Sequence, residues 1–266
     1  MDVSSSSSTR DPSSAGERAE RFGRLRALIR DKRRRQRLLF LASLAALAIV
    51  SALAGLTRLL AVMPLDLWFT RELQERPIGA VTQVMVVVSI LGYMPWSAIS
   101  LGAATLLVGL LLGWKDGAYM LLLAAIQGLA NAGVKAAIGR PRPVDTLVDV
   151  FVPVHGNSFP SGHVMFYTVF FGFLGFLAYT RLPRSALRWA VLALCAAFLA
   201  LIGPSRIVLG AHWLSDVLAA YLLGLVILAF GIEFYLHYLA PRPLEQQEGL
   251  VREIDRKLYT SGDDAV

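Results

Sequence analysis

The chain holds 266 residues, of which 56% are apolar and only 17% charged, and its mean hydropathy is +0.57. A soluble domain carries about 25% charged residues and interrupts its apolar runs more often, so an ordinary water-soluble globule is excluded. The net charge of +7 is lopsided, because residues 1–37 hold eleven of the 26 Lys and Arg; a basic cluster abutting an apolar block reads as a membrane-topology signal rather than a nucleic-acid surface.

Residues 1–16, with the serine run Ser4 to Ser8, are expected to be disordered. Residues 17–37 are expected to form a basic helix, with Phe22, Leu25, Leu28 and Ile29 on one face. The first apolar block, about 38–56, is long enough to span a bilayer. Ala52-Leu53-Ala54 resembles a signal-peptidase site, but the block exceeds a signal core and is expected to be an uncleaved anchor. Residues 64–76 read as an extracytoplasmic connection, and residues 77–93, bounded by Pro77 and Pro95, as a short apolar helix in the interface. Further spans are predicted at about 95–113, 117–136, 161–180, 187–204 and 212–238, six in all. The expected fold is all-α, a polytopic bundle of six transmembrane helices over 38–240, flanked by cytoplasmic tails at 1–37 and 241–266. Cys195, the single cysteine, lies in an apolar segment and reads as a core residue.

With a cytoplasmic N-terminus, the inner loops carry Lys115, Arg181 and Arg184, and the C-terminal tail carries Arg242, Arg252, Arg256 and Lys257, as the positive-inside rule requires. The outer segments break that rule with Arg58, Arg71, Arg76, Lys135, Arg140, Arg142 and Arg206. Three blocks account for much of this excess. They are Lys135 to Pro143, Asn157 to His163, and Ser205 to Asp216, all expected on the outer side.

Together these residue types describe phosphate chemistry. Lys135, Arg142 and Arg206 match the charge of about −1.5 to −2 on a phosphomonoester, with the Arg fork fitting its oxygens. Ser161 and Gly162 open a helix, where free N–H groups and the helix dipole attract anions. His212 and Asp216, four apart, share a helix face, so Asp216 can fix the tautomer and leave the other ring nitrogen as a nucleophile. His163, from another segment, can protonate the leaving alkoxide. Asp216 carries extra weight because an ionisable group entering an apolar span is costly. Asp145 and Asp149 are weak grounds for a metal, and His155 and His237 read as structural or solvated.

Lys135-x6-Arg142-Pro143, Pro160-Ser161-Gly162-His163 and Ser205-Arg206-x5-His212-x3-Asp216 resemble the three motifs of the type 2 phosphatidic acid phosphatase superfamily in residue type, spacing and order. Arg140-Pro141 is an additional Arg-Pro pair, but only Arg142 lies seven after Lys135. The resemblance implies a six-helix membrane hydrolase that needs no metal or other cofactor. It further implies a phosphohistidine on His212 supported by Asp216, with His163 as acid and then base. Phosphate would be bound by Lys135, Arg142, Ser161, Gly162 and Arg206. The expected partners are a lipid phosphate or diphosphate substrate and membrane lipids, with no nucleic acid, and the expected location is a bacterial plasma membrane. Phosphatidic acid, phosphatidylglycerol phosphate and a polyprenyl diphosphate all fit. Two rivals are a transporter or binding protein for an anionic lipid headgroup and a vanadium-dependent haloperoxidase. Transport sites lie near the midplane, whereas these residues cluster at span ends, and six spans argue against the haloperoxidase, which is expected to be soluble.

Overall fold

The computed structural model describes residues 12–75 and 79–240, with side chains from residue 33 onward. The expected disorder at the N-terminus, the apolar face at 22–29 and the C-terminal tail lie wholly or largely outside the described backbone or side chains. The described residues form eight α-helices and no strand: α1 (Pro12–Leu59), α2 (Pro64–Gln74), α3 (Gly79–Ile90), α4 (Trp96–Leu111), α5 (Trp114–Ile138), α6 (Gly162–Arg181), α7 (Ala186–Val208) and α8 (Leu214–Tyr238). The chain divides into two compact units, Met1–Ser51 and Ala52–Val266, and every site residue below belongs to the second.

Among the described residues, five helices are long and apolar enough to cross a membrane: Arg33–Leu59 within α1, then α5, α6, α7 and α8. The sixth expected span, α4, is a shorter apolar helix of 16 residues. Residues 64–76, expected as a mixed connection, contain the helix α2. Pro64 starts it from the first helical position, where its missing N–H is no loss. The span expected at 187–204 continues past Pro204 to Val208, which carries Arg206 in the last turn of α7. The span expected from 212 begins at Leu214, so His212 precedes the helix that holds Asp216.

Large apolar side chains lie on the outside as well as in the core. Leu106, Leu110, Leu129 and Leu225 are exposed, as lipid-facing side chains must be. The most buried helix is α6, which packs against α7, α8 and α5, while α4 lies on α5 and α3 on α7. Its ten buried residues include Tyr167, Phe170, Phe171 and Phe173; Phe171 stacks on Phe198 of α7 and Phe173 meets Tyr119 and Tyr235 edge-on. Such aromatic pairs add about 0.5–1.5 kcal/mol each beyond area burial. This rigid centre fixes the first turn of α6, and with it His163.

Candidate active site

Three chain segments meet at one end of the bundle because their local geometry turns them inward. At the end of α7, Gly210 takes a left-handed φ of 63°; a Cβ there would lie 2.1 Å from the Asp149 carbonyl oxygen, so only glycine permits the turn. The Ala211 and His212 N–H groups then both donate to the Arg206 carbonyl, at 3.0 and 3.2 Å. Beyond α5, the Ser158 N–H donates to the Arg140 carbonyl at 2.8 Å, and the Ser161 N–H donates to the Asp216 carbonyl at 3.1 Å. The last bond corrects one expectation: the Ser161 N–H is not free for an anion, because it ties α6 to α8. Gly162 is the first residue of α6.

His212 is 1% exposed and Asp216 is fully buried. The Nη1 of Arg142 lies 3.1 Å from His212 Nε2. Arginine only donates, so Nε2 carries the lone pair and the ring proton sits on Nδ1. That Nδ1 is 3.5 Å from Asp216 Oδ2 and 3.4 Å from Ser158 Oγ. Asp216 Oδ2 also accepts from Ser158 Oγ and from the Trp213 N–H, the latter at 2.9 Å. Asp216 is therefore both a helix cap reaching back to the N-cap residue and the carboxylate behind the imidazole. Burial, followed by the charges of Arg142, Arg206 and Lys135, holds the His212 pKa well below its ordinary value. The ring is neutral, with its Nε2 lone pair directed to the cationic side.

The cations have different tethers. Lys135 Nζ donates to the carbonyls of Asn157 and Ser158 at 2.7 and 3.3 Å. Arg142 donates to the carbonyls of Gly156 and Ala211, and burial, then Arg206, lowers its pKa. Arg206, fully buried, commits only Nη1, to Ser89 Oγ at 3.1 Å and Tyr93 Oη at 2.7 Å. Its Nε and Nη2, together with Ser161 Oγ and His163 Nε2, are buried and hydrogen-bond to no protein group among the described residues. A buried polar group without a partner costs about 1–3 kcal/mol. Three of these four orphan atoms belong to expected phosphate ligands, Arg206 and Ser161, and the fourth to the expected acid, His163. An anion with several acceptor oxygens is the species that satisfies them together.

Several residues at the site escaped the sequence reading. Tyr93, in the turn between α3 and α4, lies edge-on to His163 with ring centroids 4.3 Å apart and under the Arg206 guanidinium at 5.0 Å. Gly92 abuts the same imidazole, where a Cβ would fall 2.1 Å from His163 Cδ2. Arg140, passed over as an extra Arg-Pro, is 1% exposed and pairs with Asp216 Oδ1 and Asp66 Oδ2, each at 2.6 Å. A charged residue buried this deeply has to be paired, but its direction could not be read without knowing which way the chain turns after α5. Asp66, on α2, gave one weak signal: a lone carboxylate among Leu65, Leu67, Trp68 and Phe69.

Residues 116–238 match the PAP2 superfamily model. A 115-residue stretch is 34% identical to phosphatidylglycerophosphatase B of Bacillus subtilis, covering 42% of this chain and 54% of the relative. A 128-residue stretch is 38% identical to lipid A 1-phosphatase of Rhizobium johnstonii, covering 45% of each. The chain thus spans about half the length of these curated relatives. In three dimensions it is similar to the crystal structure of the first transmembrane PAP2-type phosphatidylglycerolphosphate phosphatase from Bacillus subtilis. That comparison has a TM-score of 0.64 and 25% identity and covers 75% of this chain and 98% of the other.

Proposed function

We propose that this multi-pass membrane protein, whose residues 116–238 match the PAP2 superfamily model, is a phosphatase of that kind and hydrolyses a lipid phosphate at the extracytoplasmic face of a bacterial plasma membrane. The catalytic unit is residues 38–240, between cytoplasmic tails at 1–37 and 241–266. The reading rests chiefly on one observation: Arg206 Nε and Nη2, Ser161 Oγ and His163 Nε2 are buried without protein partners among the described residues beside a neutral imidazole whose Nε2 lone pair accepts from Arg142. The outer placement is supported by Lys115, Arg181 and Arg184 at the opposite helix ends.

In the proposed reaction, Lys135, Arg142, Arg206, Ser161 and Gly162 hold the phosphoryl oxygens. His212 Nε2 attacks phosphorus as the bond to the ester oxygen breaks, giving a phosphohistidine. His163 delivers its proton to the departing alkoxide. Water then attacks the phosphohistidine, giving its proton to His163, and inorganic phosphate leaves with His212 restored. Asp216 stabilises the positive imidazole that forms in the first step, while the fixed cations meet charge developing on the transferred group.

The substrate class follows from the setting, since a site at a span end meets headgroups rather than soluble esters. Phosphatidylglycerol phosphate, phosphatidic acid, a lipid A 1-phosphate and a polyprenyl diphosphate each present a terminal phosphate there. The test is phosphate release by the purified protein in detergent across that panel, with and without chelator and vanadate. Release from at least one lipid phosphate, insensitive to chelator and blocked by vanadate, is expected. No release from any of them, with tight binding of one, would instead favour a headgroup-binding or transport protein.

A further inference from the structure

Asp216 does not face His212 alone. Arg140 Nη1 donates to Asp216 Oδ1 and to Ser215 Oγ, at 2.6 and 2.7 Å. Its Nη2 donates to Asp66 Oδ2 at 2.6 Å, and its Nε to the Ala61 carbonyl at 3.1 Å. Asp66 in turn accepts from the Ser215 N–H through Oδ1 at 2.9 Å and from Ser215 Oγ through Oδ2 at 2.7 Å. Arg140, Asp66, Ser215 and Asp216 are all buried, so water does not screen these charges.

The charge count gives this arrangement a purpose. Arg140 carries one positive charge and two carboxylates share it. If Arg140 met Asp216 alone, the pair would be neutral and would give the imidazole little. With Asp66 drawing on the other guanidinium nitrogen, the group of three keeps a net negative charge directly behind His212.

We propose that Asp66 is a positioning residue for the phosphoryl transfer, acting through Arg140 to leave Asp216 its negative charge toward His212. This rests on His212 being the nucleophile. Asp66 touches no reacting atom. It reaches the site from α2, outside the matched segment 116–238, so the helix between the first and second apolar segments contributes to the chemistry and is more than a connection. The other groups around His212 are cations or neutral: Arg142 beyond α5, Lys135 on α5, Arg206 on α7, His163 on α6 and Ser158 in the loop before it. Among the described residues no second carboxylate offsets them on that side, so the charge Asp66 leaves on Asp216 is the main counterweight.

Two substitutions of opposite sign test this on the full chain in detergent. Asp66→Asn removes one negative charge and is expected to lower the His212 pKa by about one pH unit. It should also cut kcat roughly tenfold with KM within twofold, since the interaction strengthens only as the imidazole becomes positive. Arg140→Gln removes the positive charge and is expected to shift the His212 pKa upward. Shifts are read by histidine NMR titration, assigned with His212→Gln, and turnover by phosphate release from dioctanoyl phosphatidic acid. A role confined to packing would move the two pKa values in the same direction or not at all, and either result overturns the proposal. Should Arg140→Gln fail to fold, Asp66→Asn decides alone: an unmoved His212 titration overturns it. If the wild type releases no phosphate from any lipid, the proposed function fails while the titration still decides the charge coupling.

Discussion

Helices α5, α6 and α8 each carry polar groups at both ends, and the two ends are built on opposite principles. At one end lie Lys135, His163 and Asp216; at the other lie Asp116, Arg181 and Tyr235, about 28 Å away at 1.5 Å per residue. The far cluster is closed on itself. Asp116 accepts from Tyr235 Oη at 2.6 Å and pairs with Arg181 at 3.4 Å, and Arg181 also donates to Tyr235 Oη and to the Leu112 carbonyl. None of its side-chain atoms is a buried orphan among the described residues. The near end leaves four buried polar atoms on Ser161, His163 and Arg206 unpaired and gathers cations around a neutral histidine. A satisfied network stabilises, whereas an unsatisfied one gives up stability to keep groups ready for a ligand. The same helices therefore carry a closed polar clamp at one end and the proposed phosphate site at the other.

Substitution should separate the two ends. The largest effect is expected from His212→Ala, which removes the proposed nucleophile: turnover should fall by roughly 10³-fold or more with the unfolding midpoint little changed, and retained turnover would overturn the nucleophile assignment. Next comes Gly92→Ala, whose methyl would displace the His163 ring it meets at 2.1 Å. Because an imidazole can rotate away while backbone cannot, the protein should fold normally yet lose about 100-fold in kcat. A normal rate would mean that His163 does not act where it stands. At the far end, Asp116→Ala strands Arg181 and Tyr235 and should cost about 1–3 kcal/mol, read as a lower unfolding midpoint, while kcat and KM of the folded fraction stay at wild-type values. A change in KM there would break the division between the ends.

How much of this was legible beforehand depended on distance along the chain. Within each block, spacing alone carried the message: Lys135 and Arg142 seven apart, Ser161 to His163 contiguous, Arg206, His212 and Asp216 six and four apart. The helices α5, α6 and α8 were visible because their apolar runs are long and their ends carry charge. What stayed hidden were partners set by tertiary turns. Asp66 meets Ser215 across 149 positions, and nothing in a window around either residue announces the other. Gly92 and Tyr93 read only as the end of the short apolar helix expected at 77–93, whereas α3 ends at Ile90 and the packing of α3 on α7 brings them to Arg206 and His163. The expectation of a free Ser161 N–H failed for the same reason: helix-start logic sees α6 but not the Asp216 carbonyl on α8 that accepts from it. Asp116, Arg181 and Tyr235 sit near loop ends, where charge is expected for topology, so their mutual pairing had no separate signal.

The smallest expected effect is a pH dependence confined to the near end, since the far cluster contains no histidine. His212 is held below its ordinary pKa by burial and by Arg142, Arg206 and Lys135, so the folded state keeps the ring neutral at pH values where an unfolded chain, with a pKa of about 6.5, takes up a proton. The unfolded state then binds more protons, and stability must decline as pH falls below about 6.5. Above that pH both states hold a neutral ring and the contribution is flat. For one histidine the loss approaches about 1.4 kcal/mol at pH 5.5. Comparing unfolding midpoints of the wild type and His212→Gln between pH 7.5 and 5.5 isolates it: the wild type should lose ground to the variant only in the lower half of that range. A difference that stayed constant, or grew in the opposite direction, would mean that Asp216 outweighs the three cations and that the ring is charged before any phosphate arrives.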